Sequence, residues 1–198
     1  TTTHFTNGVS NQTVGNPLYD YPYLDPFKFY TYANDFFTYH ADEWTITTTE
    51  GGSGNASEAL TSSAGGALLV TNDDADNDAD FFNLKGEGFK YDSTKRMFFK
   101  ARFKVSDATQ SDIVMGLQIT DTTPLDVTDG IFFQKDDGDT KIDFHLEKDN
   151  SATSNAAVGT LADDTFITVA FAYNPNGNAG SGSFSVFVDD SKVAEQTT

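Results

Sequence analysis

The strongest constraint in this sequence is the rhythm of its short apolar runs. Segments that alternate apolar and polar residues recur along the chain, and none sustains the 3.6-residue period of a helix over several turns. They are Tyr30 to Tyr39, Trp44 to Thr48, Ala67 to Thr71, Phe81 to Leu84, Phe89 to Tyr91, Met97 to Val105, Ile113 to Ile119, Gly130 to Lys135, Lys141 to Lys148, Phe166 to Tyr173 and Ser183 to Val188. Turn formers separate them: Gly51 to Gly54, Gly65 and Gly66, Asp136 to Asp139, and Asn174 to Gly182. Asp137 and Gly138 fall between two alternating runs and predict a hairpin. Many short strands with this punctuation predict an all-β fold, a two-sheet antiparallel sandwich over residues 30–198.

The faces of a strand can be read as well. Phe99, Ala101, Phe103 and Val105 share one side of their run, and Lys100, Arg102 and Lys104 share the other. The cationic side is expected to meet solvent, or else acidic loops of the same chain or of a neighbour. With 18 Phe and 8 Tyr the chain has enough ring surface for a core, and with no cysteine it gains nothing from disulfides or Cys-bound zinc.

Residues 1–29 differ. This stretch holds Pro17, Pro22 and Pro26 and shows no steady period, so it reads as an extended N-terminal arm. Its apolar side chains Leu18, Tyr19, Tyr21, Tyr23, Leu24 and Phe27 are costly to leave in water, so the arm is expected to dock. Its own sandwich and a partner surface are the two targets. The arm also lacks the basic and apolar segments of a secretory signal.

Charge narrows the partners. There are 12 Lys+Arg against 30 Asp+Glu, a net charge of −18, so neither nucleic acid nor an anionic membrane surface is an expected partner. The apolar runs fall far short of the ~20 residues that span a bilayer as a helix.

Sites are sparse. Asp73, Asp74, Asp76, Asp78 and Asp80 crowd hard oxygens together, with Asp74, Asp76 and Asp78 as ligands of a structural Ca²⁺ ion in one reading and a solvated acidic run in the other. Phe81 stands where a calcium loop of the EF-hand type needs glycine. His4, His40 and His145 have no metal-binding spacing, and there is no Gly-x-Ser-x-Gly turn and no phosphate-binding glycine loop. Trp44 and Tyr91, with Tyr32 and Tyr39, are candidates for stacking on sugar faces, although core or edge packing is the favoured account of any single ring.

Two stretches carry a resemblance. Phe166 to Tyr173, a glycine-rich turn and Phe184 to Val193 resemble the closing hairpins of concanavalin-A-like, laminin-G-like jelly rolls, with Asp189 and Asp190 where that family has Asp-Gly. Asn34 to Phe37 and Trp44 to Thr47 resemble its first strands. Val70 to Phe81, and Ala101 to Gln110 through Phe133, resemble virion structural proteins of tailed bacteriophages of marine and photosynthetic bacteria.

The resemblance implies a non-enzymatic capsid decoration or cement protein on the virion surface. Its arm would bind the phage major capsid protein, and its jelly roll would face outward. It also implies a homo-oligomer, a trimer by analogy with other decoration proteins. The alternative is a glycan-binding module of a tail fibre or capsid surface that recognises host glycan. Such jelly rolls finish with a strand that returns beside the first, and none is read before Gln196 to Thr198.

A third reading concerns catalysis. Asp143, His145 and Glu147 alternate on one strand face, a spacing similar to the Glu-x-Asp-x-Glu of jelly-roll glucanases, but two of the three positions differ. Retaining hydrolysis needs carboxyl groups about 5 to 5.5 Å apart. An ordinary half-buried strand, with Ile142, Phe144 and Leu146 inward, explains the same residues, so no catalytic role is expected.

Overall fold

The computed structural model describes residues 30–52, 56–72, 78–86, 88–178 and 180–198. The arm, residues 1–29, lies outside them. Among the described residues all regular structure is strand, apart from one 3₁₀ turn at Ala41–Glu43. They fall into two units, divided between Gly88 and Phe89.

The first unit has four strands, β1 (Trp44–Thr49), β2 (Ser57–Thr61), β3 (Ala67–Thr71) and β4 (Ala79–Leu84). β1 pairs with β4 from Trp44 opposite Leu84 to Thr49 opposite Ala79, and the β2–β3 hairpin is nested in the chain between them. Gly66, at φ +81°, ends the turn before β3 against the backbone of Asp35 and Phe36, where a Cβ would collide. Two-stranded sheets cover little surface, and no described residue of this unit is fully buried.

The second unit has eight strands: β5 (Met97–Phe103), β6 (Ile113–Gln118), β7 (Gly130–Lys135), β8 (Lys141–Lys148), β9 (Ser151–Thr160), β10 (Ile167–Asn178), β11 (Ser181–Val188) and β12 (Ser191–Thr197). They form two antiparallel sheets, in the orders β12-β11-β10-β5 and β6-β7-β8-β9. The chain leaves the first sheet after β5, builds the whole second sheet as a meander, and returns with β10 between β5 and β11. This is the all-β, two-sheet antiparallel sandwich that the alternation predicts, with the jelly-roll form that the resemblance implies, and its strands run over residues 97–197.

Inward residues alternate along each central strand, which is why the sequence pattern was readable. Ile131 and Phe133 of β7, Ile142 and Phe144 of β8, Val169, Phe171 and Tyr173 of β10, and Phe184 and Val186 of β11 fill the space between the sheets. Phe171 sits at the centre, with ring centroids at 5.3 Å from Phe99, 5.6 Å from Phe144, 5.8 Å from Phe184 and 6.1 Å from Phe133. Each such side chain contributes about 1.5–3 kcal/mol by leaving water. At one margin of the sandwich the Asn155 amide of β9 donates to Gln196 Oε1 of β12 at 3.0 Å.

The turns answer two further expectations. The β7–β8 hairpin forms, with Gly138 at φ +79°. Asp189 and Asp190 make a two-residue turn with φ of 47° and 63° despite the missing glycine, because Asp tolerates the left-handed region. Thr168 holds that turn, its N–H donating to Asp189 Oδ1 and its carbonyl accepting from the Asp189 N–H, both at 2.9 Å.

Five assignments change. Tyr30 to Tyr39 and Phe89 to Tyr91 are not strands: their rings look strand-like in sequence, but neither segment joins a described sheet. β2, β9 and β12 are strands that alternation did not reveal. β9 and β12 are edges rich in Ser, Thr and other polar residues, so they lack the apolar period that a central strand shows.

Candidate functional site

The strand face bearing Asp143, His145 and Glu147 is opposite the core, since Ile142 and Phe144 on β8 are fully buried on the other face. Its side chains are engaged separately. Asp143 Oδ1 accepts the Ala157 N–H at 2.6 Å, where β9 bulges and Ala157 takes φ 55°. The His145 ring lies flat on Phe132, centroids 5.2 Å apart and planes 12° from parallel. Glu147 is at the strand end, between Gly130 of β7 and Ala152 of β9. One carboxylate therefore shapes a bulge, and a stacked imidazole lies between it and the other.

The same use of acid recurs around the sandwich. Asp92 accepts from the N–H and hydroxyl of Thr94 at 2.8 and 2.7 Å, Asp107 from the N–H groups of Thr109 and Gln110 at 2.8 and 3.0 Å, and Asp121 from the N–H and hydroxyl of Thr123 at 2.8 and 2.9 Å. These bonds favour the ionised form and hold all three carboxyls below the ordinary Asp value, chiefly through Thr94 for Asp92, Gln110 for Asp107 and Thr123 for Asp121. Asp163 accepts the buried Ala108 N–H at 2.8 Å, and Asp112 the Asp137 N–H at 2.6 Å. The signal was in the sequence as Asp-x-Thr at residues 92, 107 and 121, the spacing of a side chain that closes its own turn.

The basic side of β5, with Lys104 just past its end, meets acidic loops of its own unit. Lys100 pairs with Asp190 at 2.7 Å and Lys104 with Asp164 at 2.9 Å, while the Arg102 guanidinium lies 3.7 Å from the Phe166 ring centroid. The two ion pairs are surface pairs, each worth less than about 1 kcal/mol.

Sequence reasoning missed Lys135. It is 2% exposed, and its ammonium donates to the carbonyls of Thr109, at 2.9 Å, and Ser111. A buried cation must be met by acceptors, and here the loop before β6 wraps its carbonyls around one. The clue was the register: Lys135 is in phase with inward Ile131 and Phe133.

The ring candidates occupy two units. In the first, Trp44 is half-buried between Tyr32 and Phe82, which meet it edge-on at 5.8 and 6.2 Å. Tyr39 has its hydroxyl buried, and burial, followed by Glu58 and Asp80, pushes its pKa above the usual tyrosine value. In the second, Tyr91 packs on Tyr173 at 5.1 Å and Phe184 at 6.0 Å, and burial raises its hydroxyl pKa strongly. The Tyr173 hydroxyl donates to the Ser93 carbonyl at 2.9 Å.

Of the acidic run, Asp74 and Asp76 lie outside the described residues. Asp78 Oδ1 accepts the Gly51 N–H, and its carbonyl accepts from the Asn72 amide at 3.2 Å. Asp80 Oδ1 accepts the Thr48 hydroxyl at 2.7 Å. Among the described residues no three acidic or histidine side chains are grouped to hold a metal. Leu18, Tyr19, Tyr21, Tyr23, Leu24 and Phe27 lie outside the described residues. No family model, no curated protein and no solved structure matches this chain.

Proposed function

We propose that this chain is a non-enzymatic structural protein of a tailed-phage virion, a decoration protein that binds the assembled shell through residues 1–29 and displays its sandwich outward. The observation that carries the reading is where the carboxylates go. On the sandwich Asp92, Asp107, Asp121, Asp143 and Asp163 each close a turn, a bulge or a loop. Acid spent on pinning loops suits a durable module, and it is a different use from two carboxyls facing one reacting bond. The resemblance of Val70 to Phe81 and Ala101 to Phe133 to phage virion proteins supplies the particle.

The mechanism follows from mass action. A protein that binds only the assembled lattice shifts assembly toward the shell, and many weakly bound copies then act together. A net charge of −18 keeps a surface present at high copy number soluble and off the packaged nucleic acid. The test is co-sedimentation with empty phage heads. The intact chain is expected to pellet with them and a variant lacking residues 1–29 to stay in solution, and equal binding by both defeats the role given to the arm.

A further inference from the structure

Each sheet of the sandwich has two edges, β5 and β12 in one and β6 and β9 in the other. An edge strand turns a row of N–H and C=O groups away from its sheet, and charge or a bulge normally stops another chain from pairing there. Three of the four edges are guarded. β5 carries Lys100 and Arg102. β12 slips register opposite Val186 and Phe187 and carries the Lys192–Glu195 pair at 2.6 Å. β9 bulges opposite Ile142 and Phe144, with Asp143 fastening Ala157.

β6 has none of these devices. Its sequence, Ile-Val-Met-Gly-Leu-Gln, is uncharged, and it pairs with β7 in unbroken register from Ile113 opposite Lys135 to Gln118 opposite Gly130. Gly116, exposed in the middle, has φ +155°, and a Cβ there would strike the backbone of Ile131 and Phe132 on β7. Among the described residues nothing pairs with the far side of β6.

We propose that β6 is an association edge at which a second copy of this chain adds its own β6, antiparallel across a twofold axis, making the two four-stranded sheets one continuous sheet. A strand that meets itself reversed must be self-complementary. β6 brings no like charges opposite one another, whereas β5 against itself would bring Lys100 and Arg102 against basic residues of the copy. In a chain of net charge −18 an acid-free edge is a favourable place for a second copy to approach. The remaining repulsion acts at a distance, so added salt should tighten the dimer. A basic partner protein at the same edge would show the opposite salt response. The proposal does not rest on the virion reading.

The test is sedimentation of the full chain across concentration, at low and high salt. The Ile119 N–H donates to the Asp129 carbonyl at 3.2 Å, and ladder bonding alternates residue by residue. Counting back, Leu117, Met115 and Ile113 bond to β7 and the Val114 N–H faces outward. Val114→Pro therefore removes an edge donor and no β6–β7 bond. A symmetric dimer loses two hydrogen bonds, about fivefold each, so about twenty-fivefold in dissociation constant, with the melting temperature of the dilute monomer unchanged. Val114→Lys, which sets cations close across the axis, should weaken the dimer as well.

Three results overturn the proposal. One is a chain that stays monomeric at all concentrations in high salt. Another is a dimer that survives both substitutions. The third is slow hydrogen exchange at the outward β6 amides in the dilute monomer, which would mean the edge is already filled within one chain.

Discussion

The two units are built from the same kind of strand and differ in how many strands share a core. Up to Gly88, Trp44, Phe81, Phe82 and Leu84 supply large side chains, yet every described residue keeps some solvent, and Leu60 and Leu69 remain 48% and 51% exposed. From Phe89 on, two four-stranded sheets enclose Phe133, Phe144, Phe171, Tyr173 and Phe184 almost completely. Polar atoms follow the same division. Among the described residues, the Tyr39 hydroxyl, the Trp44 indole N–H and one oxygen of Asp80 find no partner in the first unit, against the Ser111 hydroxyl in the sandwich. Closing a core depends on stacking enough strands to cover both faces, and two-stranded sheets fall short of that.

The largest expected effect tests this contrast directly. Phe171→Ala should cost about 3–5 kcal/mol, because the sandwich cannot collapse around a cavity bounded by Phe99, Phe133, Phe144 and Phe184. Phe82→Ala, at a half-buried position, should cost about 1–2 kcal/mol. Urea unfolding of both variants measures the difference. Equal losses would mean that the first unit is packed as tightly as the second.

The same contrast explains what was legible in the sequence. β7, β8, β10 and β11 are sandwiched between an apolar interior and an outer face, so the period of two shows in their residues. β9 and β12 are held by hydrogen bonding to a neighbour, which needs no apolar period. Tyr30 to Tyr39 has the rings of a strand but forms no described strand, since pairing is a property of two segments and cannot be read from one. The loop carboxylates were legible as Asp-x-Thr. The stacking of His145 on Phe132 was not, because it depends on β7 and β8 meeting in one register.

Next in size is Lys135→Met. It keeps the length of the side chain but removes the ammonium that the carbonyls of Thr109 and Ser111 share, at a cost of about 1–3 kcal/mol. Faster hydrogen exchange at Gly138, whose N–H donates to that same Thr109 carbonyl at 2.8 Å, would show the loop loosening. An unchanged melt would mean that the loop is held by its other bonds, among them Asp107 to Thr109 and Gln110.

Acid should act mildly on the sandwich through its turns. The carboxyls of Asp92, Asp107 and Asp121 titrate below the ordinary value of 3.8 in the folded state. Their stabilisation is therefore complete above that value and is lost as pH falls through the lower folded values. Carboxyl carbon shifts followed by NMR should give midpoints below 3.8 for these three groups, and Thr94→Val and Thr123→Val should bring Asp92 and Asp121 back toward it.

The smallest effect concerns backbone strain, where among the described residues each unit has one residue outside the usual tolerance. Phe36 at φ 52° and Ala157 at φ 55° are left-handed without being Gly, Asn or Asp. Ala157 has only a methyl to lose, and its N–H bond to Asp143 stays in place, so Ala157→Gly should stabilise the sandwich by roughly 0.5–1 kcal/mol, the relief of strain less the added chain entropy. Phe36→Gly removes the same strain together with a half-buried ring, so it should bring no gain. Paired melts decide the matter, and a destabilised Ala157→Gly would show that the bulge on β9 needs the side chain more than it resents the angle.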